Sequence, residues 1–121
     1  MNGLVLIAHG SKKDLSNNEF RKLVDEIKEK DDKFSQIEAA FLEFASPEIA
    51  TVVEKFIKDG ISKIYFYPYF LNSGKHVSVD LPDIISELES NNTSVEFMLL
   101  THFGKSEKIS DIILEDISAS I

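Results

Sequence analysis

Three histidines punctuate a chain without cysteine: His9, His76 and His102. Each follows an apolar run that reads as a strand, and Glu43 closes another such run. Two imidazoles and a carboxylate, with no thiol, form a nitrogen/oxygen ligand set suited to divalent first-row metals such as cobalt, iron, nickel or zinc. The same groups accept protons near neutral pH. Glu43 follows residues 39–42 (AAFL), a stretch built for burial, where a carboxylate has to be paired, cap a helix or do chemistry. Lys12, Lys13, Lys75 and Lys105 flank the same segments. The chain as a whole carries 21 Asp and Glu against 13 Lys and Arg, a formal net charge of −8. Four lysines gathered in an acidic protein, near helix N-termini, make a local surface receptive to an anionic ligand. Plainer readings stand beside these. A loop histidine is commonly just solvated, a lone lysine likewise, and residues 72–74 (NSG) are compatible with an ordinary turn. His102 has no accompanying local signal and is read as structural.

The elements that would position these groups alternate regularly. Apolar runs over residues 3–8, 36–44, 63–69 and 95–100 read as buried strands. Between and after them lie helical patterns. Residues 16–30 place Phe20, Leu23, Val24 and Ile27 on one face. A second helix is expected to open at Ser46, as N-cap, with Pro47 in its first position, and to stop at Gly60. Its buried stripe is Ile49, Val52, Val53, Phe56 and Ile57. A third runs from Asp80 or Pro82 to Ser90, and a fourth over 106–118 turns Ile109, Ile112, Ile113 and Ile117 inward. Strands separated by helices cannot pair as hairpins. The expected fold is therefore α/β, one doubly wound domain over residues 1–121, with a four-stranded parallel sheet and helices on both faces. In such a sheet ligands bind beyond the carboxyl ends of the strands, and all three histidines fall there.

Composition excludes several classes. The lack of cysteine rules out disulfides, thiolate nucleophiles and Cys-ligated metal centres, and suits a reducing cytoplasm, the expected location. A single arginine, Arg21, in an acidic chain leaves no basic face for nucleic acid. No segment reads as a membrane span or a secretory leader.

Three stretches then carry a resemblance. LIAHGSK over residues 6–12, with Asn17 and Phe20 downstream, resembles the opening of the small sirohydrochlorin chelatases, the CbiX-like branch of the class II tetrapyrrole chelatases. AFLEFASP over 40–47 resembles their second motif, and YPYFLNSGKHVSVDLP over 67–82 their third and most specific one. The resemblance covers all but the C-terminal quarter. It implies insertion of a divalent metal into sirohydrochlorin on the route to cobalamin or siroheme, cobalt first, with iron or nickel as further candidates. The metal is substrate; no permanently bound cofactor is expected. By resemblance His9 and His76 are the metal-binding histidines and Glu43 the acidic residue that assists them. His102 lies outside the matched motifs. Ser11, Lys12, Phe70, Ser73, Gly74 and Lys75 are the expected substrate contacts, with Phe70 and Tyr69 offering a flat apolar wall to the macrocycle.

The chemistry agrees with that implication. Metallation strips water from a cation and removes two pyrrole N–H protons; imidazoles replace the water, and an imidazole or Glu43 takes a proton. Sirohydrochlorin is a polycarboxylate, which suits the lysines. Because related chelatases enclose the macrocycle between two lobes and this chain supplies one, a homodimer with facing carboxyl edges is expected. Two other functions use the same residues. A non-catalytic metal or tetrapyrrole carrier needs the same ligands and differs only in turnover. A histidine phosphatase would place Arg before the first-strand His, whereas Ala8 stands there.

Overall fold

A computed structural model describes all residues, 1–121. Four strands form one parallel sheet: β1 (Asn2–Ala8), β2 (Gln36–Phe41), β3 (Lys63–Pro68) and β4 (Glu96–Leu99), in the order β2-β1-β3-β4. Four helices connect or follow them: α1 (Asp14–Lys30), α2 (Ile49–Lys58), α3 (Leu81–Asn91) and α4 (Ile109–Ser118). A π-helical turn, His76–Asp80, runs directly into α3, and a 3-10 turn, Phe103–Lys105, follows β4. The expected α/β architecture with a parallel four-stranded sheet is the one observed.

Apolar strand residues alternate between two cores. On one face Val5, Ile7, Ile64, Phe66 and Phe97 pack with Val52, Val53 and Phe56 of α2 and Leu81 and Ile85 of α3. On the other, Leu4, Leu6, Ile37 and Phe41 pack with Phe20 and Val24 of α1, with Leu23, Ile27 and Phe34 partly buried against them. Of the expected α2 stripe, Ile49, Val52, Val53 and Phe56 are buried and Ile57 partly so. Gly60 ends that helix in a left-handed conformation (φ 87°), as its position suggested.

Three expectations are corrected. The second strand stops at Phe41 rather than Phe44, because Phe44 takes a left-handed φ of 65° and the chain folds back, with Phe41 N–H donating to the Pro47 carbonyl (2.9 Å). For the same reason Ser46 and Pro47 do not start α2. They belong to that loop, joined by a cis peptide bond, and the helix begins at Ile49 with Glu48 as an N-cap that makes no side-chain bond. Third, the α4 stripe does not face inward. No residue of α4 is buried, and Ile112, Ile113 and Ile117 are 46%, 52% and 54% exposed.

Candidate metal centre

His9 is the first residue beyond β1, and the backbone ladder that forms the sheet continues past it. Leu42 N–H donates to the Ala8 carbonyl and Glu43 N–H to the His9 carbonyl, each at 3.0 Å, so His9 and Glu43 are held side by side as an extension of the β1–β2 pairing. Gly10 makes this possible. Its φ is 95°, and a Cβ there would lie 1.8 Å from the Glu43 carbonyl oxygen. Only glycine combines that backbone conformation with so close an approach. The loop is then locked by Asn17, a buried polar residue of α1: Ser11 N–H donates to its Oδ1 (3.0 Å), and its Nδ2 donates to the Ser11 carbonyl (2.8 Å).

His76 arrives from the far side, at the head of the π-helical turn that continues into α3. The rings of His9 and His76 meet edge to face with centroids 4.5 Å apart. One ligand atom from each of His9, Glu43 and His76 lies within 4.8 Å of the others. His9 Nε2 is 4.0 Å from a Glu43 carboxylate oxygen. A tetrahedral first-row metal with bonds near 2 Å spaces its ligands roughly 3.4 Å apart. The trio is thus slightly wider than a closed coordination shell, and small rotations of the exposed Glu43 would contract it.

Each imidazole is oriented from behind. His9 Nδ1 lies 3.0 Å from the Gly10 carbonyl, which can only accept, so in the neutral ring Nδ1 carries the hydrogen and Nε2 the lone pair. His76 Nδ1 lies 2.9 Å from an Asp80 carboxylate oxygen. Such a carboxylate–imidazole pair fixes ring orientation and strengthens the imidazole as a ligand.

Asp80 has no counterpart among the expected site residues, having been read as a possible helix start. The four-residue offset to His76 was its only signal. Phe44 was also missed. It is 55% exposed, its ring centroid is 6.2 Å from that of His9, and Lys12 Nζ lies 5.2 Å above it. A non-glycine residue held at positive φ with its ring in solvent, beside the His9–Glu43–His76 cluster, is the kind of local strain that accompanies function.

The remaining expected residues divide. Lys12, Ser73, Gly74 and Lys75 are exposed at this edge, and a Cβ added at Gly74 would meet nothing within 4 Å. Ser11 Oγ accepts from Lys13 N–H (3.1 Å), which ties it to the loop. Phe70 is half-buried against the larger core, and Tyr69 packs against Phe20 and Phe103 on the α1 face, so these two rings do not form one wall beside the histidines. His102 is buried and outside the trio. A cavity of about 280 Å³ adjoins the centre, lined by Leu42, Glu43, His76, Asp80, Asp83 and Ile84.

An open parallel α/β fold with two histidines and a glutamate converging at the carboxyl edge is an arrangement that could hold a divalent metal. Residues 3–120 match the CbiX family, and the chain belongs to it. It is 35% identical over 92 residues to the sirohydrochlorin cobaltochelatase of Methanocaldococcus jannaschii, a match spanning 76% of this chain and 64% of that enzyme. To the sirohydrochlorin ferrochelatase of Priestia megaterium it is 30% identical over 118 residues, 98% of this chain but 44% of that enzyme. The chain therefore spans less than two-thirds of either relative. A crystal structure of a protein assigned to cobalamin biosynthesis as CbiX, from Marinobacter aquaeolei, superposes with a TM-score of 0.87 at 26% identity, covering 99% of this chain and 97% of that one.

Proposed function

We propose that this chain is a sirohydrochlorin chelatase lobe that inserts a divalent metal, cobalt first and iron or nickel as alternatives, into the macrocycle. The observation that carries the reading is the convergence of His9, Glu43 and His76 within 4.8 Å at the open sheet edge. The two relatives described above are named for cobalt and iron insertion, and both metals accept imidazole and carboxylate. His9 and His76 hold the incoming ion in place of water. Glu43, the exposed member of the three, takes a proton as the ring nitrogens give up theirs. Phe44 offers an aromatic face to the macrocycle, while Lys12 and Lys75 meet its carboxylates. Ser11, Ser73 and Gly74 shape the rim, and Phe70 supports it from the core.

One edge can cover only one face of a flat tetrapyrrole, so the active form is a homodimer with facing carboxyl edges. No helix is long and apolar enough to cross a membrane. With no cysteine to protect, the protein is suited to the cytoplasm. A phosphatase reading is disfavoured by Arg21, whose guanidinium is engaged by Asn18 and the Ser46 carbonyl and stacked over Phe41, leaving no arginine for a phosphate at His9.

The test is anaerobic incubation of sirohydrochlorin with Co2+, Fe2+ or Ni2+, following the absorbance of the metallated product. Several turnovers per chain above the spontaneous rate are expected, with loss of that excess in His9→Ala and His76→Ala variants that keep the native circular dichroism. A rate equal to the protein-free control overturns the proposal. A single stoichiometric turnover assigns the chain to metal or tetrapyrrole carriage instead.

A further inference from the structure

The loop between β2 and α2, residues 42–47, presents Glu43 and Phe44 to solvent, so neither side chain is placed by burial. Its outgoing half is tied to β1 through the Leu42 and Glu43 N–H groups, and its base is closed by the Phe41 N–H donating to the Pro47 carbonyl. The returning half is reached from another element by one side-chain hydrogen bond. Arg21 of α1 donates from Nη2 to the Ser46 carbonyl (2.9 Å). Its guanidinium lies over the Phe41 ring, 5.0 Å from the centroid, and Nη1 donates to Asn18 Oδ1 (2.8 Å) on the same helix. One planar group thus touches the residue where the chain leaves the sheet and the backbone where it comes back. Arg21 is the single arginine of a chain with 21 Asp and Glu, yet it forms no salt bridge. A guanidinium that stacks on a ring and donates to a neutral carbonyl acts here through its shape.

We propose that Arg21 is a positioning residue of the metal centre, holding the Glu43 carboxylate within reach of His9 and His76 by fixing the backbone of residues 44–47. The rung from Glu43 N–H to the His9 carbonyl anchors one side of Glu43 but leaves the rest of the loop free to swing about it. The clamp at Ser46 and Phe41 removes that swing. The distance matters: Glu43 stands 4.0 Å from His9 Nε2, and a displacement of about 1 Å decides whether three groups can share one ion. Arg21 also stands four residues after Asn17, on the same side of α1. Asn17 holds the backbone of Ser11, in the loop behind His9. Successive turns of one helix therefore grip both loops, the one that bears His9 and the one that bears Glu43. The inference rests on the metal-centre reading above and adds the residue that keeps its carboxylate in place.

Co2+ titration of the whole chain, read by calorimetry and by the visible spectrum of the bound ion, tests it in the parent, Arg21→Ala, Arg21→Lys, Glu43→Ala and the Arg21→Ala/Glu43→Ala double variant. Arg21→Ala is expected to weaken Co2+ binding about 10-fold and to shift the spectrum in the same direction as Glu43→Ala. In the Glu43→Ala background it is expected to change neither, because the group it positions is gone. Lysine reaches Ser46 but cannot at once stack on Phe41 and engage Asn18, so Arg21→Lys is expected to recover part of the loss. If circular dichroism shows Arg21→Ala to be unfolded, Arg21→Lys alone and with Glu43→Ala makes the same comparison. Parent-like Co2+ affinity and spectrum in Arg21→Ala would overturn the proposal. So would a loss of the same size with Glu43 absent, which would make the arginine a support of the fold alone. A parent that binds Co2+ without inserting it removes the insertion reading and leaves this comparison to decide the clamp. A parent that binds no Co2+ overturns both.

Discussion

Gly10 is the position where a single methyl group separates fold from site. In Gly10→Ala the added Cβ would stand 1.8 Å from the Glu43 carbonyl oxygen and 3.0 Å from its carbon, against ordinary contact beginning at 3.4 Å. The two loops have to part by roughly 1.5 Å to restore normal contact. That movement breaks the Glu43 N–H to His9 carbonyl bond, which at 3.0 Å is the last rung of the β1–β2 ladder. The rung contributes about 1 kcal/mol, and alanine at φ 95° adds about 1–3 kcal/mol of backbone strain. A loss of about 2–4 kcal/mol lowers Tm by roughly 6–16 °C in a chain of this length. The same displacement separates His9 from Glu43, and a shift near 1 Å at reacting groups costs about 100-fold in rate. The assays are thermal unfolding by circular dichroism and metal insertion at 10 °C, where the variant stays folded. Gly74→Ala is the control. Its Cβ enters open space and its φ is not positive, so its Tm is expected within a few degrees of the parent. A Gly10→Ala protein with unchanged Tm and unchanged activity would refute the claim that this glycine holds the ligands together.

Asp80→Asn keeps the shape beside His76 Nδ1 but removes the charge, and is expected to weaken Co2+ binding about 10–100-fold in calorimetry with Tm nearly unchanged. Phe44→Gly relieves the left-handed backbone and is expected to raise stability by about 1 kcal/mol in urea unfolding, while sirohydrochlorin binding, read by fluorescence titration, falls about 10-fold. Asn17→Ala leaves the Ser11 N–H and carbonyl without their partners and is expected to cost about 2–3 kcal/mol, measured by urea unfolding, with a larger loss of activity than of structure at 25 °C.

What the sequence disclosed, and what it withheld, follows from the range over which each signal acts. The strand–helix alternation is local and repeated, so it revealed a parallel sheet, and a parallel sheet has only one edge where loops after strands can meet. That step brings His9, Glu43, His76 and also His102 to a common rim; the motif resemblance, not the topology, separates the first three from His102, which lies buried outside the cluster. The details at the rim escaped because they depend on backbone conformations that apolar patterning does not encode. Residues 40–44 read as uninterrupted strand, yet regular strand ends at Phe41, where the Pro47 carbonyl reaches back to it; two further rungs carry the pairing to Glu43 before Phe44 turns its ring toward Lys12. Asp80 looked like the start of a helix, and in a sense it is, since the π-helical turn it closes merges with α3. Its partnership with His76 exists only because that turn is there. The inward stripe of α4 is a different kind of miss. Periodicity correctly marked a face that wants cover, but a hydrophobic pattern carries no information about whether the covering surface belongs to the same chain.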